Sequence, residues 1–306
     1  MTDDDANRGD VIVLLGVSTR VFEECLIPNG ALIEAPVQIP SFPSTARDCH
    51  RSLPGRDIAA AVLSMDAFGR SLRAPLCRWI LGRANGFLDD GLLRTTYLPH
   101  GPVLDGGVDA AGSALLLAAL HAAPLVDEAL AVAKRLEEGL SLRLRRRAEA
   151  ELGFDDDDHM MVAALAMAAT PDDGEAADSG CLLGQPATPL RTPLDLLLHA
   201  SDESLADAET DPRRNRTDEG SANVSSSFLD VIRLARTDLA SASALFADAI
   251  RFADADGHFA ESQCEIDGRT SPKPYLFSHL TFILAADAIG ALTRIPGSGY
   301  TGRGRR

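Results

Sequence analysis

The sequence predicts an all-α fold, and three observations support this. Runs rich in Ala and Leu, both strong helix formers, recur along the 306 residues. Few stretches alternate apolar and polar residues with a period of two, so little sheet is expected. The helical runs fall into pairs separated by loops of uneven length. With 45% hydrophobic residues, the chain can bury a substantial core in one large domain or two small ones.

The first half of the chain contains five predicted helices. Residues 11–25 form an apolar run that is either the first helix or a buried segment. Helices over 56–68 and 73–81 are separated at Gly69, a helix breaker. A Leu/Ala-rich helix over 109–122 is followed by one over 126–147. The basic end of that helix suits the negative C-terminal end of a helix dipole.

The second half contains five more predicted helices. One follows an acidic run and spans 160–169, and a short apolar helix occupies 194–200. The remaining predicted helices span 228–236, 237–253 and 279–292. The proline-rich stretch 28–50 and the Gly/Pro/Asp-rich stretch 85–107 are predicted loops, and long ordered loops in compact domains are often functional.

The domain prediction is one helical domain with polar ends. Residues 1–9 and 294–306 are expected to be tails, and 10–293 a single domain with a mobile polar segment over 170–223. The last tail contains a G-x-G-x-x-G pattern at 297–302. No predicted strand precedes this pattern and no helix follows it, so a dinucleotide site is not expected.

The charge is strongly acidic and excludes one class of partner. The formal net charge is −16, with 31 Asp, 14 Glu and only two lysines, Lys134 and Lys273. Two explanations remain open. A salt-rich cytoplasm would favour such a surface, because salt screens its self-repulsion, and a high-GC genome would favour the same residue types. Nucleic acid is not an expected partner, because binding it needs a basic face.

The cysteines and the N-terminus predict a cytoplasmic protein. The five cysteines are scattered and form no C-x-x-C pair, which fits a reduced compartment without a redox or zinc motif. Asp3, Asp4 and Asp5 give the N-terminus the wrong charge for a secretory signal. No apolar run reaches the roughly 18 residues of a membrane span. We expect no cofactor. The seven histidines do not cluster in the sequence, so no metal site is expected, and a hard cation would first be sought at 155–158.

Four segments carry recognisable motifs. Near the C-terminus stand Gly-His-Phe-Ala-Glu at 257–261, Asp-Gly at 267–268 and Pro-Tyr-Leu-Phe-Ser-His at 274–279. Earlier segments are Pro-Asn-Gly-Ala-Leu-Ile-Glu-Ala-Pro at 28–36, Leu-Pro-Gly-Arg-Asp at 53–57, and Tyr-Leu-Pro-His-Gly-Pro-Val-Leu-Asp at 97–105. In this order they resemble the catalytic domain of glucoamylase-like glycoside hydrolases of family fifteen, over roughly residues 18–292.

The resemblance implies an (α/α)6 toroid without an N-terminal β-domain. It also implies that Glu261 is the general base that activates water, and that Arg56 and Asp57 hold the hydroxyls of a terminal sugar. Charge-assisted hydrogen bonds of that kind are strong. Further sugar contacts are implied for Tyr97, His100, Phe277, Ser278 and His279. The residues also allow structural interpretations, in which Asp57, Asp105, Asp109 and Ser278 cap helices.

The general acid is the main departure from the family. The family's Leu-Trp-Glu motif is missing, and the corresponding stretch is Gly-Phe-Asp-Asp-Asp-Asp-His at 153–159. By spacing, Asp158 falls on the acid position, with Asp157 as the alternative. Adjacent carboxylates raise one another's pKa and so favour a protonated acid. An ordinary acidic first turn of a helix explains the same residues.

The substrate is expected to be small. The chain has one Trp, Trp79, and three Tyr, which is poor in the aromatic faces that line starch subsites. Within the family, the acidic and Lys-poor chain is similar to AglQ-type proteins of haloarchaeal N-glycosylation gene clusters. That resemblance implies a small glycan or a lipid- or nucleotide-linked sugar on the cytoplasmic side. A non-catalytic glycan-binding or scaffold protein and a plain exo-acting α-glucosidase remain the alternatives, and the sequence leaves the oligomeric state open.

Overall fold

The computed structural model describes residues 3–28, 30–33, 55–69, 73–82, 90–96, 105–123, 125, 127–153, 155–169, 190–210, 221–264 and 274–292. These ranges contain ten α-helices, which confirms the all-α prediction. They are α1 (Asp3–Cys25), α2 (Gly55–Ala67), α3 (Arg73–Gly82), α4 (Ala110–His121), α5 (Asp127–Glu149), α6 (Asp156–Ala169), α7 (Pro193–Thr210), α8 (Val224–Leu234), α9 (Leu239–Ala249) and α10 (Leu276–Ala288).

Two short antiparallel ribbons connect the helices. Strand β1 (Arg94–Thr96) pairs with β2 (Asp105–Val108), directly before α4. Strand β3 (Ser221–Asn223) pairs with β4 (Ser262–Cys264), so that Asn223 lies opposite Ser262. The second ribbon joins two distant parts of the chain, the start of α8 and the segment after α9. Each ribbon therefore places a loop at a helix N-terminus.

The helices pack in two layers. An inner row runs α6–α4–α2–α10–α8, with each helix contacting the next. Outside this row, α1 packs against α10, α5 against α4, and α9 against α8. Helix α3 packs against α5. Burial follows the layers, since α10 is buried continuously from Leu276 to Ala286. By contrast, α5 buries one stripe, at residues 129, 132, 133, 136, 139 and 140. A helix that is apolar all round belongs in a core, and a striped helix belongs at a surface.

Several boundaries differ from the sequence predictions. Helix α1 begins at Asp3, inside the predicted N-terminal tail, and α7 continues to Thr210, ten residues past the predicted end of that helix. Helix α8 begins at Val224 instead of residue 228, because the side chain of Asn223 caps it by accepting from the Ser226 N–H. Sequence periodicity does not register a cap that lies several residues before the apolar run.

An aromatic cluster fills the core between α8, α9 and α10. Phe228 packs edge-on against both Phe259 and Phe282, with ring centroids 5.1 and 5.5 Å away. Phe246 of α9 stacks on Phe282 at 5.6 Å. Phe259 belongs to the loop that follows α9, so the core anchors that loop directly. Within the described ranges, none of the helices combines the length and apolar character that crossing a bilayer would need.

Candidate active site at the helix N-termini

The N-termini of the inner helices meet at one end of the fold. The backbone N–H of Gly55, the first residue of α2, donates to Asp109 at the start of α4, with an N–O distance of 3.1 Å. The guanidinium of Arg56 lies 4.3 Å from the ring centroid of Phe277 in the first turn of α10. The N–H of Val224 at the start of α8 donates to the Glu261 carbonyl over 3.1 Å. Helix N-termini carry partial positive charge, so this end suits oxygen-rich ligands.

Arg56 and Asp57 form an ion pair at this end. Arg56 Nε lies 3.1 Å from Asp57 Oδ1. Asp57 is only 1% exposed, whereas the Arg56 side chain remains 23% exposed. Burial raises the pKa of Asp57, and the adjacent guanidinium opposes that shift. Because the Phe277 face supports the guanidinium from one side, the pair is held in one orientation.

Asp109 joins two of these helix ends. Its Oδ1 accepts the Gly112 N–H at 2.7 Å and so caps α4, while Oδ2 accepts the N–H of Gly55 in α2. The capping interpretation of this residue is therefore confirmed. Burial is the main cause that raises the pKa of Asp109 to about 6; the charge of Asp157 adds to the rise, and the two backbone hydrogen bonds oppose it. A Cβ on either glycine would collide with this carboxylate, which explains why glycine stands at both places.

The carboxylates of the acidic run at 155–158 differ in whether they form hydrogen bonds within the protein. Asp155 Oδ1 accepts the Asp158 N–H, and Asp158 Oδ2 accepts the Asp155 N–H, each over 3.0 Å. This reciprocal arrangement is a capping box at the start of α6. Arg147 Nε lies 2.8 Å from the same Asp158 oxygen, and Asp158 is only 1% exposed. The structure therefore gives Asp158, the residue at the predicted acid position, an internal structural role.

Asp157 has a different environment. Its side chain is partly buried, and it makes no hydrogen bond with the parts of the chain that the structure describes. Burial raises the pKa of Asp157, and the negative charges of Asp155 and Asp158 raise it further, while Arg143 and Arg147 oppose the shift. Its charge also raises the pKa of Asp109, so the two carboxyl groups interact electrostatically. The signal in the sequence is the Asp-x-x-Asp spacing, which identifies a capping box and leaves Asp157 outside it.

Glu261 lies in a loop that is tied down at four points. The Tyr275 N–H donates to the Phe259 carbonyl at 2.9 Å, and the Ser278 hydroxyl donates to the Ala260 carbonyl at 2.8 Å. The Glu261 carbonyl accepts the Val224 N–H, and the Phe259 N–H donates to His279 Nε2 at 3.1 Å. The Glu261 side chain itself is partly exposed. The backbone before this carboxylate is thus fixed between the N-termini of α8 and α10.

The other residues predicted to contact a sugar are either buried or outside the described residues. Ser278 and His279 are fully buried, and their polar atoms bond within the protein. Both therefore act on the loop that carries Glu261, and neither presents a polar atom at the surface. Phe277 is almost fully buried beneath Arg56. Tyr97 and His100 lie outside the described residues.

One group of described side chains has the geometry of metal ligands. Ligand atoms of Asp254, Asp256 and His258 all lie within 4.8 Å of one another. This turn, rather than the predicted run at 155–158, brings possible ligands together. Asp254 Oδ1 already accepts the N–H groups of Asp256 and His258, at 3.0 and 2.9 Å. Those hydrogen bonds explain the compact turn without an ion.

Comparison with solved structures defines the class of fold. The chain resembles a structure described as a "putative glucoamylase" from Bacteroides caccae, with a TM-score of 0.53 over 96% of this chain and 97% of that one. The sequence identity is 12%, so the likeness concerns the fold alone. No protein-family model matches the chain, and no curated protein matches it. The predicted glucoamylase-like helical fold is therefore confirmed at the level of architecture.

Proposed function

We propose that this protein is a glycan-processing enzyme whose active site lies at the N-termini of the inner helices. One observation carries the proposal. The Arg56–Asp57 pair and two carboxyl groups with raised pKa values, Asp109 and Asp157, stand at the same end of the fold as the fixed loop of Glu261. Glycoside hydrolysis needs such a combination of a base, an acid that holds its proton, and polar groups that hold a sugar.

Glu261 is the proposed general base and Asp157 the proposed general acid. A base must be within reach of a water molecule, and Glu261 is partly exposed. An acid must keep a proton near neutral pH, which burial and neighbouring carboxylates favour for Asp157. Asp158 is the weaker candidate, because its Oδ2 is held by the capping box and by Arg147.

Arg56 and Asp57 are the proposed sugar-holding groups. The guanidinium has donors beyond the one directed at Asp57, and planar forks of this kind bind vicinal hydroxyl oxygens well. Arg56 is the partly exposed member of the pair and would make the direct contact, while the buried Asp57 orients it. The sugar would then lie against the helix N-termini.

The proposed substrate is a small glycan, either free or linked to a lipid or nucleotide. The scarcity of aromatic residues supports a site for few sugar units. The resemblance to AglQ-type proteins and the acidic, Lys-poor composition support a place in assembling the N-linked glycan of a surface glycoprotein, in the cytoplasm of a salt-adapted cell. Hydrolysis and sugar rearrangement could both use the same acid and base.

A glycoside panel tests the proposal. The wild-type protein is incubated with aryl glycosides, short oligosaccharides and sugar diphosphates of several sugars, and products are identified by mass spectrometry and NMR. We expect turnover of at least one glycoside and its loss in Arg56→Ala. Arg78→Ala is a matched control, because Arg78 forms an exposed ion pair with Glu128 that joins the outer helices α3 and α5. Equal activity of both variants would contradict the assignment of Arg56.

The acid is tested by comparing Asp157→Asn with Asp158→Asn. Removing a general acid costs little when the leaving group needs no proton, and typically 10²–10⁴-fold when it does. We therefore expect Asp157→Asn to lose much more activity on an alkyl glycoside than on a nitrophenyl glycoside. Asp158→Asn should lower stability without that dependence on the leaving group. The opposite pattern would assign the acid to Asp158.

A non-catalytic sugar-binding protein is the second candidate function. The capping box is the observation that favours it, because it occupies the carboxylate at the family's acid position. This function predicts saturable binding of a sugar, abolished by Arg56→Ala, together with no turnover on any member of the panel. Turnover that depends on Glu261 would exclude it.

A further inference from the structure

A buried hydrogen-bonded chain connects the first helix to the loop of Glu261. Ser18 Oγ of α1 lies 2.8 Å from His279 Nδ1, and His279 Nε2 lies 3.1 Å from the backbone nitrogen of Phe259. Ser18 and His279 are both fully buried, although they are 261 positions apart in the sequence. Phe259 stands two residues before Glu261.

The direction of these hydrogen bonds fixes the protonation of the imidazole. A backbone N–H can only donate, so Nε2 of His279 must be an unprotonated acceptor. A neutral imidazole then carries its proton on Nδ1, which donates to Ser18 Oγ. The other tautomer would direct an N–H of the ring at the N–H of Phe259. Ser18 supplies the acceptor for that Nδ1–H, so its hydroxyl stabilises the one neutral form that can hold the loop.

This contact differs from the other ties on the loop. The ties at Ala260 and Glu261 use backbone carbonyls as acceptors, which accept in any protonation state. The tie at the Phe259 N–H depends on which ring nitrogen of His279 carries the proton. The His279 ring also packs against Phe259, with centroids 5.0 Å apart, so a turn of the ring would disturb the same residue.

We propose that Ser18 is a positioning residue for Glu261, acting through the tautomer of His279 and the backbone of Phe259. This inference rests on the proposed function of Glu261 as the base. None of the motifs that suggested a glycosidase includes Ser18, because it lies in the first helix and contacts the site only through the fold. Ser18 is buried and would not contact a sugar. Its substitution would therefore act on a reaction by changing the geometry of the catalytic groups.

The test variant is Ser18→Ala, with Ser201→Ala as its matched control. Ser201 is also a buried helical serine, but its hydroxyl donates to the Leu197 carbonyl of its own helix. Ser18→Thr keeps the hydroxyl and serves as the rescue variant. All three proteins are compared as full-length chains, by amide hydrogen exchange and by turnover of the fastest glycoside in the panel.

We expect Ser18→Ala to speed exchange of the Phe259 amide about tenfold, as loss of one hydrogen bond would do. ¹⁵N NMR of the imidazole should show a population with the proton on Nε2. We also expect kcat to fall between about tenfold and a hundredfold with KM nearly unchanged, because small misplacements of a reacting group cost that much. Ser18→Thr should restore both readouts, and Ser201→Ala should change neither.

Three results would overturn the inference. Unchanged protection of the Phe259 amide in Ser18→Ala would show that Ser18 does not hold the loop. A loss of kcat that is equal in Ser18→Ala and Ser201→Ala would show a general effect of buried serines. The proposed function fails separately, if Glu261→Gln leaves turnover unchanged. Loss of turnover in Glu261→Gln with normal kcat in Ser18→Ala refutes only the role of Ser18.

Discussion

His279 should make the stability of the fold depend on pH in a way that one substitution removes. Burial lowers the pKa of His279 to about 3; the charge of His258 adds to the shift, and Asp254 opposes it. In the unfolded chain the pKa is about 6.5. Between these values the unfolded state binds a proton that the folded state does not. The stability from the neutral ring is therefore fully present above about pH 6.5 and is lost as pH falls towards 3.

The magnitude follows from the two pKa values. Each pH unit inside this window changes the free energy of unfolding by about 1.4 kcal/mol, so the loss between pH 7 and pH 5 is about 2 kcal/mol. Asp109 acts in the opposite sense, because its pKa is raised to about 6 and protonation favours its folded form. The pH dependence of wild type alone therefore mixes the two effects.

Comparison with His279→Gln separates them. Glutamine does not titrate, and its side-chain oxygen can still accept from the Phe259 N–H. Asp109 contributes equally to the pH dependence of both proteins, so its contribution cancels in their difference. Urea unfolding at pH 7 and pH 5, in the same salt, should find the variant less stable at pH 7. The difference in free energy of unfolding between wild type and the variant should be about 2 kcal/mol smaller at pH 5 than at pH 7. A difference that is the same at both pH values would refute a buried neutral His279.

Three further predictions concern stability, each measured by urea unfolding at pH 7. Gly139→Ala should cost about 1–3 kcal/mol, because its Cβ would collide with a loop carbonyl. Gly16→Ala, in open space within α1, should raise the free energy of unfolding by up to about 1 kcal/mol. Equal effects of Gly139→Ala and Gly16→Ala would contradict the close packing at Gly139. Asp109→Ala should cost at least about 1–2 kcal/mol and more than Asp238→Ala, since Asp238 is exposed and caps one helix only; the reverse order would contradict the link between α2 and α4. Phe228→Ala should cost about 3–5 kcal/mol, and a loss below 1 kcal/mol would contradict its place in the aromatic cluster.

The fold could be predicted because local signals determine most of it. Ala/Leu-rich runs identify helices without tertiary information, and the layers follow from burial patterns that are partly visible in the sequence. The predominantly apolar sequence of α10 indicates a helix buried on all sides. That signal also bears on Ser278 and His279. Side chains within such a helix face neighbouring helices, so their hydrogen bonds are made inside the protein.

The site was harder to predict, because it depends on positions that differ by one residue. Alignment with the family's acid motif does not separate four consecutive aspartates, but the cap at Asp155 decides which carboxylate turns inward. Asp158 lies three residues after the cap and closes the capping box, while Asp157 remains available. The link between Ser18 and His279 has no local signal at all, because only the packing of α1 on α10 brings them together.

The most direct test of the account is the configuration of the first sugar released from the glycoside with the fastest turnover. Proton NMR is recorded for the wild-type protein and for Glu261→Gln. Water activated by Glu261 on the face opposite the leaving group predicts inversion at the anomeric carbon. We also expect a loss of about 10²–10⁴-fold in Glu261→Gln. Retention of configuration, or undiminished turnover in Glu261→Gln, would contradict the assignment of Glu261 as the base.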